Sequence, residues 1–231
     1  MRGVLADRGR WGGAGHIGVC EECGRKTSLR IRRRKTFTKL KNSSIIVSSR
    51  MIFQETKLSS VCEIHLDPVH DSRGFFARGW CQKEFEKRGL DPRVVQCNIS
   101  FNKRKGTLRG MHYQADPNAE AKLVRCTSGS VYDVVIDLRP QSPTFKQWIA
   151  VVLRSDERNM IYVPKGCAHG FLTLEDETEV FYQMSEFYSA ESAQGVRWND
   201  PAFQIVWPAK VEVISERDRT YGDFETVQCA Y

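Results

Sequence analysis

From Val61 onward, apolar and polar residues alternate in short runs, and turn-forming residues separate these runs about every ten positions. Val131 to Leu138 shows the pattern well, with apolar side chains on one face and Asp133 and Asp137 on the other. A period of two residues is typical of a β-strand. Many short strands joined by Gly- and Pro-containing turns predict an all-β sandwich or barrel.

One segment, Trp80 to Gly89, predicts a helix. Its residues Cys81 and Phe85 are four apart and share a face, and Gly89 is placed to end the helix. We find neither an internal repeat nor a domain boundary after Met51. The pattern therefore predicts a single folded domain, residues 51–231, with few short helices.

The charge is distributed unevenly along the chain. The 231 residues carry a net charge of +7, from 35 Lys and Arg against 28 Asp and Glu. Residues 1–50 hold 13 of the basic and 3 of the acidic residues, whereas residues 51–231 hold 22 and 25. We interpret residues 1–50 as a disordered basic extension. A targeting peptide and a nucleic-acid-binding patch are the alternatives, and we consider nucleic acid an improbable partner.

Apolar runs and cysteines exclude further classes. No run approaches the roughly 18 apolar residues of a membrane span, so we expect no membrane association. The N-terminus lacks the apolar stretch of a secretory signal, and the eight cysteines are irregularly spaced. We therefore expect reduced thiols in a cytoplasmic protein. One Cys-x-x-Cys pair, Cys20 and Cys23, is insufficient for a four-ligand zinc site, even with His16 nearby.

Two histidine segments suggest a pocket. Gly106 lies six residues before His112, and about fifty residues later Pro164-Lys-Gly-Cys-Ala-His169 follows. Either histidine alone is more often a core or surface residue. Together, the segments resemble the two signature stretches of cupins, which are double-sheet jelly rolls. Metal-binding cupins have a second histidine where this chain has Gln114, and an amide is a poor substitute ligand. We therefore expect no metal, and His112 is available as an acid or base.

Several consecutive motifs, in order and spacing, resemble the dTDP-4-dehydrorhamnose 3,5-epimerase family over about residues 61–218. They are Asp71-Ser-Arg-Gly-Phe-Phe, Gln96-Cys-Asn-Ile-Ser, Leu108-Arg-Gly-Met-His-Tyr-Gln, Lys122-Leu-Val-Arg-Cys, Val131-Tyr-Asp-Val-Val-Ile-Asp-Leu-Arg, Ser142-Pro-Thr-Phe, His169-Gly-Phe and Trp198-Asn-Asp-Pro. Residues 1–50 have no counterpart in the family.

The resemblance implies an activity and two partners. The family inverts C3 and C5 of a nucleotide-linked 4-keto-6-deoxyhexose by removing protons next to the ketone, without metal or organic cofactor. Its members are homodimers in which an N-terminal strand crosses to the partner. This sequence is thus expected to bind a sugar nucleotide and a second copy of itself.

The resemblance also assigns a catalytic set. His112 matches the base, and Asp218 matches the carboxylate that pairs with it. Tyr182 matches the acid, and alternation places it on a face with Val180 and Met184. Lys122 matches a lysine near the sugar, where an ammonium would stabilise an enolate oxygen.

The remaining matches are substrate-binding positions. Arginines suit a diphosphate because the guanidinium fork pairs with phosphate oxygens. The matched arginines are Arg73, Arg109 and Arg217. Gln96 and Asn98 match polar residues that hydrogen-bond the ligand, and His169 matches a substrate-side residue.

Two departures concern the nucleotide end. The family usually has Glu where this chain has Arg78 and Ala193, so the nucleobase and the exact sugar stay open. Three alternative functions also stay open: inversion of only C3 or only C5, a metal-dependent cupin oxygenase, and a non-catalytic sugar-binding cupin.

Overall fold

The computed structural model describes residues 49–224. The predicted disordered extension, residues 1–50, therefore lies outside the described residues except for Ser49 and Arg50. Ser49 is buried, and its hydroxyl donates a hydrogen bond to the Asp67 carbonyl at 3.0 Å. Ser49 is therefore part of the folded domain.

Short β-strands dominate the described residues. The elements are β1 (Met51–Glu55), β2 (Cys62–Leu66), β3 (Val69–Asp71), β4 (Gly74–Phe76), α1 (Gln82–Glu86), β5 (Gln96–Asn102), β6 (Thr107–Gln114), β7 (Lys122–Ser128), β8 (Ser130–Asp137), β9 (Trp148–Arg154), β10 (Met160–Val163), β11 (Cys167–Thr173), β12 (Thr178–Met184), β13 (Ala193–Gly195), β14 (Val213–Ile214) and α2 (Glu216–Arg219).

Two large sheets form the body of the fold. The first sheet has the strand order β1-β2-β10-β7-β12-β5, and the second has the order β13-β6-β11-β8-β9, with β14 parallel to β6. Strands β3 and β4 form a separate hairpin. Apart from β14, neighbouring strands are antiparallel. The predicted all-β double-sheet jelly roll is confirmed.

Strand β8 is buried on both faces. Its residues Val131 and Val135 pack in a core cluster with side chains of the first sheet. The alternate residues Val134 and Ile136 pack against residues 196–224, which cover the outer face of the second sheet. The predicted strand is confirmed, and the carboxylates on its inward face are buried.

Asp137 ties one end of β8 to the following loop. Its carboxylate accepts hydrogen bonds from the Arg139 side chain at 2.8 Å and from the hydroxyls of Ser142 and Thr144 at 2.5 and 2.7 Å. Burial opposes ionisation, but these donors outweigh it and lower the pKa of Asp137. The network stabilises the turn between β8 and β9.

The predicted helix is present but shorter than expected. It spans Gln82–Glu86 with Cys81 at its N-cap, and Phe85 is the residue it buries. Gly89 follows with φ +68°, which a glycine adopts without steric cost. None of the helices among the described residues is long and apolar enough to cross a membrane.

Candidate active site

A cleft lies between the two sheets and has two adjoining parts. The larger part has a volume of about 310 Å³ and the smaller about 220 Å³. Both are lined by His112, Lys122 and Tyr182, so the three side chains mark the junction. The larger part adds Ile99, Ser100, Phe101, Arg109, His169 and Phe171, and the smaller adds Asn98, Tyr113, Gln114, Glu120, Met184, Tyr188, Ala193, Gln194 and Arg217.

The topology places the junction residues on opposite walls. His112 belongs to β6 of the second sheet, and Lys122 and Tyr182 belong to β7 and β12 of the first. Tyr182 packs against the core between the sheets, on the inward face that alternation predicts. An imidazole and a phenol therefore face one cleft from different sides.

Two glycines allow the histidine strands to approach closely. Strands β6 and β11 pair with His112 opposite His169. Gly110 has φ +134°, and a Cβ there would lie 2.5 Å from the Gly170 Cα. A Cβ on Gly170 would likewise lie 2.9 Å from the Gly110 Cα. Side chains at these positions would separate the strands that carry the two histidines.

His112 is paired with a buried carboxylate. Its Nε2 lies 2.7 Å from Asp218 Oδ1, while Oδ2 accepts a hydrogen bond from the Gly110 backbone N–H at 3.2 Å. Burial would raise the pKa of Asp218, but hydrogen bonds with His112, Gly110 and Ser215 outweigh it, so the pKa falls. The His112 side chain is 41% exposed and that of Asp218 only 6%. The imidazole therefore faces the cleft with an ionised carboxylate behind it.

His169 is paired in the same way with Asp133. Its Nε2 lies 2.7 Å from Asp133 Oδ2. Complete burial raises the pKa of Asp133 despite the opposing effects of His169 and Lys122. Sequence reasoning did not predict this pair, because it assigned Asp133 only to the face opposite the apolar side chains of β8.

Lys122 has a carboxylate partner as well. Its Nζ lies 2.9 Å from Glu120 Oε1, and the two side chains are 11% and 4% exposed. Residues two apart in extended chain point to the same side, which brings Glu120 to the cleft. Three basic side chains of the cleft, those of His112, Lys122 and His169, are thus each paired with a carboxylate that is more buried than itself.

The remaining predicted polar residues lie at or beside the cleft. Arg109 Nε donates to Asn102 Oδ1 at 2.7 Å, and Arg217 Nη2 donates to the Ala193 carbonyl at 3.2 Å. Gln96 Nε2 lies 3.4 Å from Asn98 Oδ1. Both guanidinium groups keep donors for an anionic ligand.

Two further arginines, Arg73 and Arg78, lie away from the cleft of their own chain. Arg73 is on the β3–β4 hairpin, where its side chain is 87% exposed and pairs with Asp71. Arg78 pairs with Glu84 at 2.6 Å. Neither belongs to the lining that residues 49–224 provide for the cleft. Of the two positions that depart from the family, only Ala193 borders it.

Sequence reasoning missed two tyrosines. Tyr188 borders the smaller part of the cleft, and the ring of Tyr221 lies 6.3 Å from that of His112. Tyr221 occupies the space where a Cβ of Gly195 would project, and Gly195 pairs with His112 across β13 and β6. Both tyrosines lie in segments without regular alternation, so no periodic signal identified them.

Gln114 is buried, and its amide makes three hydrogen bonds. Its Nε2 donates to the carbonyls of Asn118 and Phe187 at 2.9 and 3.1 Å, and its Oε1 accepts from the Ser189 N–H at 2.7 Å. Residues 49–224 contain no group of three or more His, Cys, Asp or Glu that could hold a metal ion.

The fold and the cleft define a cupin-type site equipped for proton transfer. Residues 55–226 match the family model described as dTDP-4-dehydrorhamnose 3,5-epimerase. The chain belongs to this family. The predicted family, and with it the predicted isomerase class, is confirmed.

Individual relatives agree with the family model. The chain is 40% identical over 169 residues to the dTDP-4-dehydrorhamnose 3,5-epimerase of Sinorhizobium fredii, covering 73% of this chain and 87% of the relative. A crystal structure of the Bacillus anthracis enzyme with TDP and PPi bound has 39% identity and a TM-score of 0.72, covering 76% of this chain and all of that one. A 3'-monoepimerase from Streptomyces bikiniensis, in complex with dTDP-quinovose, has 28% identity and a TM-score of 0.69, covering 75% and 88%.

Proposed function

We propose that this protein is a cofactor-independent epimerase acting on a dTDP-linked 4-keto-6-deoxyhexose. One observation carries the proposal: His112 and Tyr182 line the same cleft from opposite sheets. Inversion at a carbon requires that a proton leaves one face and another proton arrives on the opposite face. A base and an acid on opposite walls meet that requirement.

In the proposed reaction, His112 Nδ1 takes the proton from the carbon next to the ketone, because Nε2 is paired with Asp218, and the C–H electron pair forms the enolate. Ionised Asp218 stabilises the resulting imidazolium and fixes the ring orientation. The Lys122 ammonium stabilises the negative charge on the enolate oxygen. Tyr182 then gives its phenolic proton to the carbon from the other side, and the ketone reforms.

The polar rim would bind the rest of the substrate. Arg109 and Arg217 lie in the two parts of the cleft and suit the diphosphate. Asn98 and His169 supply further hydrogen-bonding groups, and the Gln96 side chain contacts that of Asn98. Ala193 offers no polar side chain at the nucleotide end, so we expect weaker discrimination among nucleobases than a carboxylate there would give.

We also propose that the protein is a homodimer. The exposed hairpin side chains Phe75 and Phe76, and the edge-strand side chains Ile99 and Phe101, are apolar surface that an interface would bury. A partner's hairpin could then supply Arg73 to the cleft. Sedimentation equilibrium tests this proposal, because Phe76→Asp should yield monomers if the hairpin lies in the interface.

A cytoplasmic location is a further proposal. All five cysteines within the described residues are free thiols, as expected in a reducing compartment.

The decisive experiment is incubation with dTDP-4-keto-6-deoxyglucose in D₂O, followed by proton NMR. Deuterium at both C3 and C5, with formation of the 4-keto-rhamnose product, supports the proposal. Deuterium at C3 alone or C5 alone would assign a mono-epimerase, the second candidate that the Streptomyces bikiniensis relative favours. No exchange at either carbon would overturn the proposed chemistry.

A further inference from the structure

The segment that follows β12 places two exposed aromatic residues beside the cleft. Phe187 is 61% exposed and Tyr188 is 54% exposed. Tyr188 borders the smaller part of the cleft together with Arg217. A hydrogen bond with Tyr188 is the main cause that raises the pKa of Arg217. Side chains this exposed gain little positional order from packing, so their position depends on the backbone that carries them.

Two glutamines hold that backbone at three consecutive residues. Gln114 Nε2 donates to the Phe187 carbonyl at 3.1 Å, and Gln114 Oε1 accepts from the Ser189 N–H at 2.7 Å. Gln96 Oε1 accepts from the Tyr188 N–H at 3.2 Å. The side chains come from β6 and β5, which belong to different sheets. The segment is therefore attached to both walls of the cleft.

Gln114 is well suited to holding the backbone of this segment. It is only 3% exposed, and both of its amide atoms are engaged with backbone groups. Buried amides in such contacts fix the groups they bind, because leaving those groups unpaired is costly. Gln96 is more accessible and makes a single bond to the segment, so its contribution should be smaller.

We infer that Gln114, assisted by Gln96, is a positioning residue that holds Tyr188 and its partner Arg217 in the geometry that binds the nucleotide part of the substrate. The inference rests on the proposed function, because it takes the smaller part of the cleft as the nucleotide end. Gln114 itself acts through Tyr188. Preorganising Tyr188 reduces the ordering cost of ligand binding.

The test measures dTDP binding by calorimetry to the wild-type chain and to Gln114→Leu, with melting temperature measured in parallel. The matched control is Asn159→Leu. Asn159 is 2% exposed, and its amide also makes three hydrogen bonds, with Arg154 N–H, the Val152 carbonyl and Glu63. It borders neither part of the cleft within the described residues.

We expect Gln114→Leu to weaken dTDP binding about tenfold, while Asn159→Leu lowers the melting temperature and leaves binding unchanged. Equal binding by the wild type and Gln114→Leu, or equal weakening in both variants, overturns the inference alone. A wild-type chain that does not bind dTDP overturns the proposed nucleotide and this inference together.

A double-mutant cycle tests whether Gln114 acts through Tyr188. Tyr188→Ala should weaken binding, and Gln114→Leu should add little further loss in that background. Fully additive losses would contradict the positioning role. If Gln114→Leu fails to fold, Gln96→Ala takes its place, with an expected loss of about threefold and the same dependence on Tyr188.

Discussion

The two histidine–carboxylate pairs of the cleft have the same hydrogen-bond length, but the pKa of the carboxyl group shifts in opposite directions in the two pairs. Both pairs are 2.7 Å long, and the histidines face each other across β6 and β11. Yet the pKa of Asp218 is lowered, whereas that of Asp133 is raised. The length of a hydrogen bond therefore does not determine the direction in which the carboxyl pKa shifts.

The difference lies first in burial, which is complete for Asp133, and then in the second oxygen of each carboxylate. Asp218 Oδ2 receives the Gly110 N–H, and the pair opens to the cleft through the 41% exposed imidazole. Asp133 Oδ1 has no hydrogen-bond partner among residues 49–224, and its side chain is fully buried. Burial without a second donor favours the neutral acid. The His112 pair is thus suited to hold an imidazolium, whereas Asp133 lacks a second donor that would stabilise its ionised form.

The largest expected effect comes from removing the base of the first pair. His112→Asn should keep the fold, because the side chain is partly exposed, and should lower turnover by about 10²–10⁴-fold. Solvent deuterium exchange at the substrate carbons measures the chemical step directly. Exchange at near wild-type rate would remove His112 from the proposed mechanism.

The two carboxylates should differ next. Asp218→Asn should reduce kcat about a hundredfold, because an amide has one acceptor oxygen and cannot serve both His112 and the Gly110 N–H. Asp133→Asn should reduce kcat less than about tenfold, because the amide oxygen can still bond His169 and Asp133 Oδ1 has no hydrogen bond to lose among residues 49–224. Equal losses of kcat in the two variants would contradict the comparison between the pairs.

The pH dependence of stability should have opposite signs for the two pairs. Asp218 has a lowered pKa, so its contribution to the free energy of unfolding is complete above the ordinary value of 3.8 and is lost as pH falls through the lower folded value. Asp133 has a raised pKa, so its contribution is complete below 3.8 and is lost as pH rises through the folded value.

Urea unfolding at pH 3 and pH 7 measures both signs. The deficit of Asp218→Asn relative to the wild type should grow from pH 3 to pH 7, and that of Asp133→Asn should shrink. Parallel changes in the two variants would show that the pairs titrate alike.

The smallest effect is expected from shortening the chain. Both pairs are built from residues of β6, β8, β11 and α2, so a chain that begins at Ser49 should keep its melting temperature and kcat. Residues 1–48 hold 12 basic residues against 3 acidic ones and show little apolar periodicity, and we propose that they are dispensable for folding and catalysis. A fall of more than a few degrees in melting temperature would show that they stabilise the domain.

Much of the fold could be predicted because it depends on local periodicity. Alternation identified β8, and it correctly grouped Tyr182 with Val180 and Met184 on an inward face. It could not show that β8 is covered on both sides, since that depends on residues 196–224, which are distant in sequence. The pairing of Asp133 with His169 was missed because it joins residues 36 positions apart on neighbouring strands.

Long-range contacts also limited what could be predicted for the site. Gln114 was interpreted only as a replaced metal ligand, because its contacts with Phe187 and Ser189 join residues more than seventy positions apart. The motif matched Arg73 to a binding position, but in the structure Arg73 lies on an exposed hairpin. Whether it reaches a cleft depends on where the hairpin lies in the proposed dimer. No periodicity in a single sequence reports such contacts.

The close approach of Gly110 and Gly170 has a consequence for how this sequence can diverge. A methyl group at either position meets backbone atoms of the opposite strand, so no shrinking of a neighbouring side chain can make room for it. Replacing either glycine should therefore be destabilising, and a second replacement at the other glycine would not relieve the clash. Lineages of this protein should therefore keep both glycines, and each would carry its two histidines at the same separation.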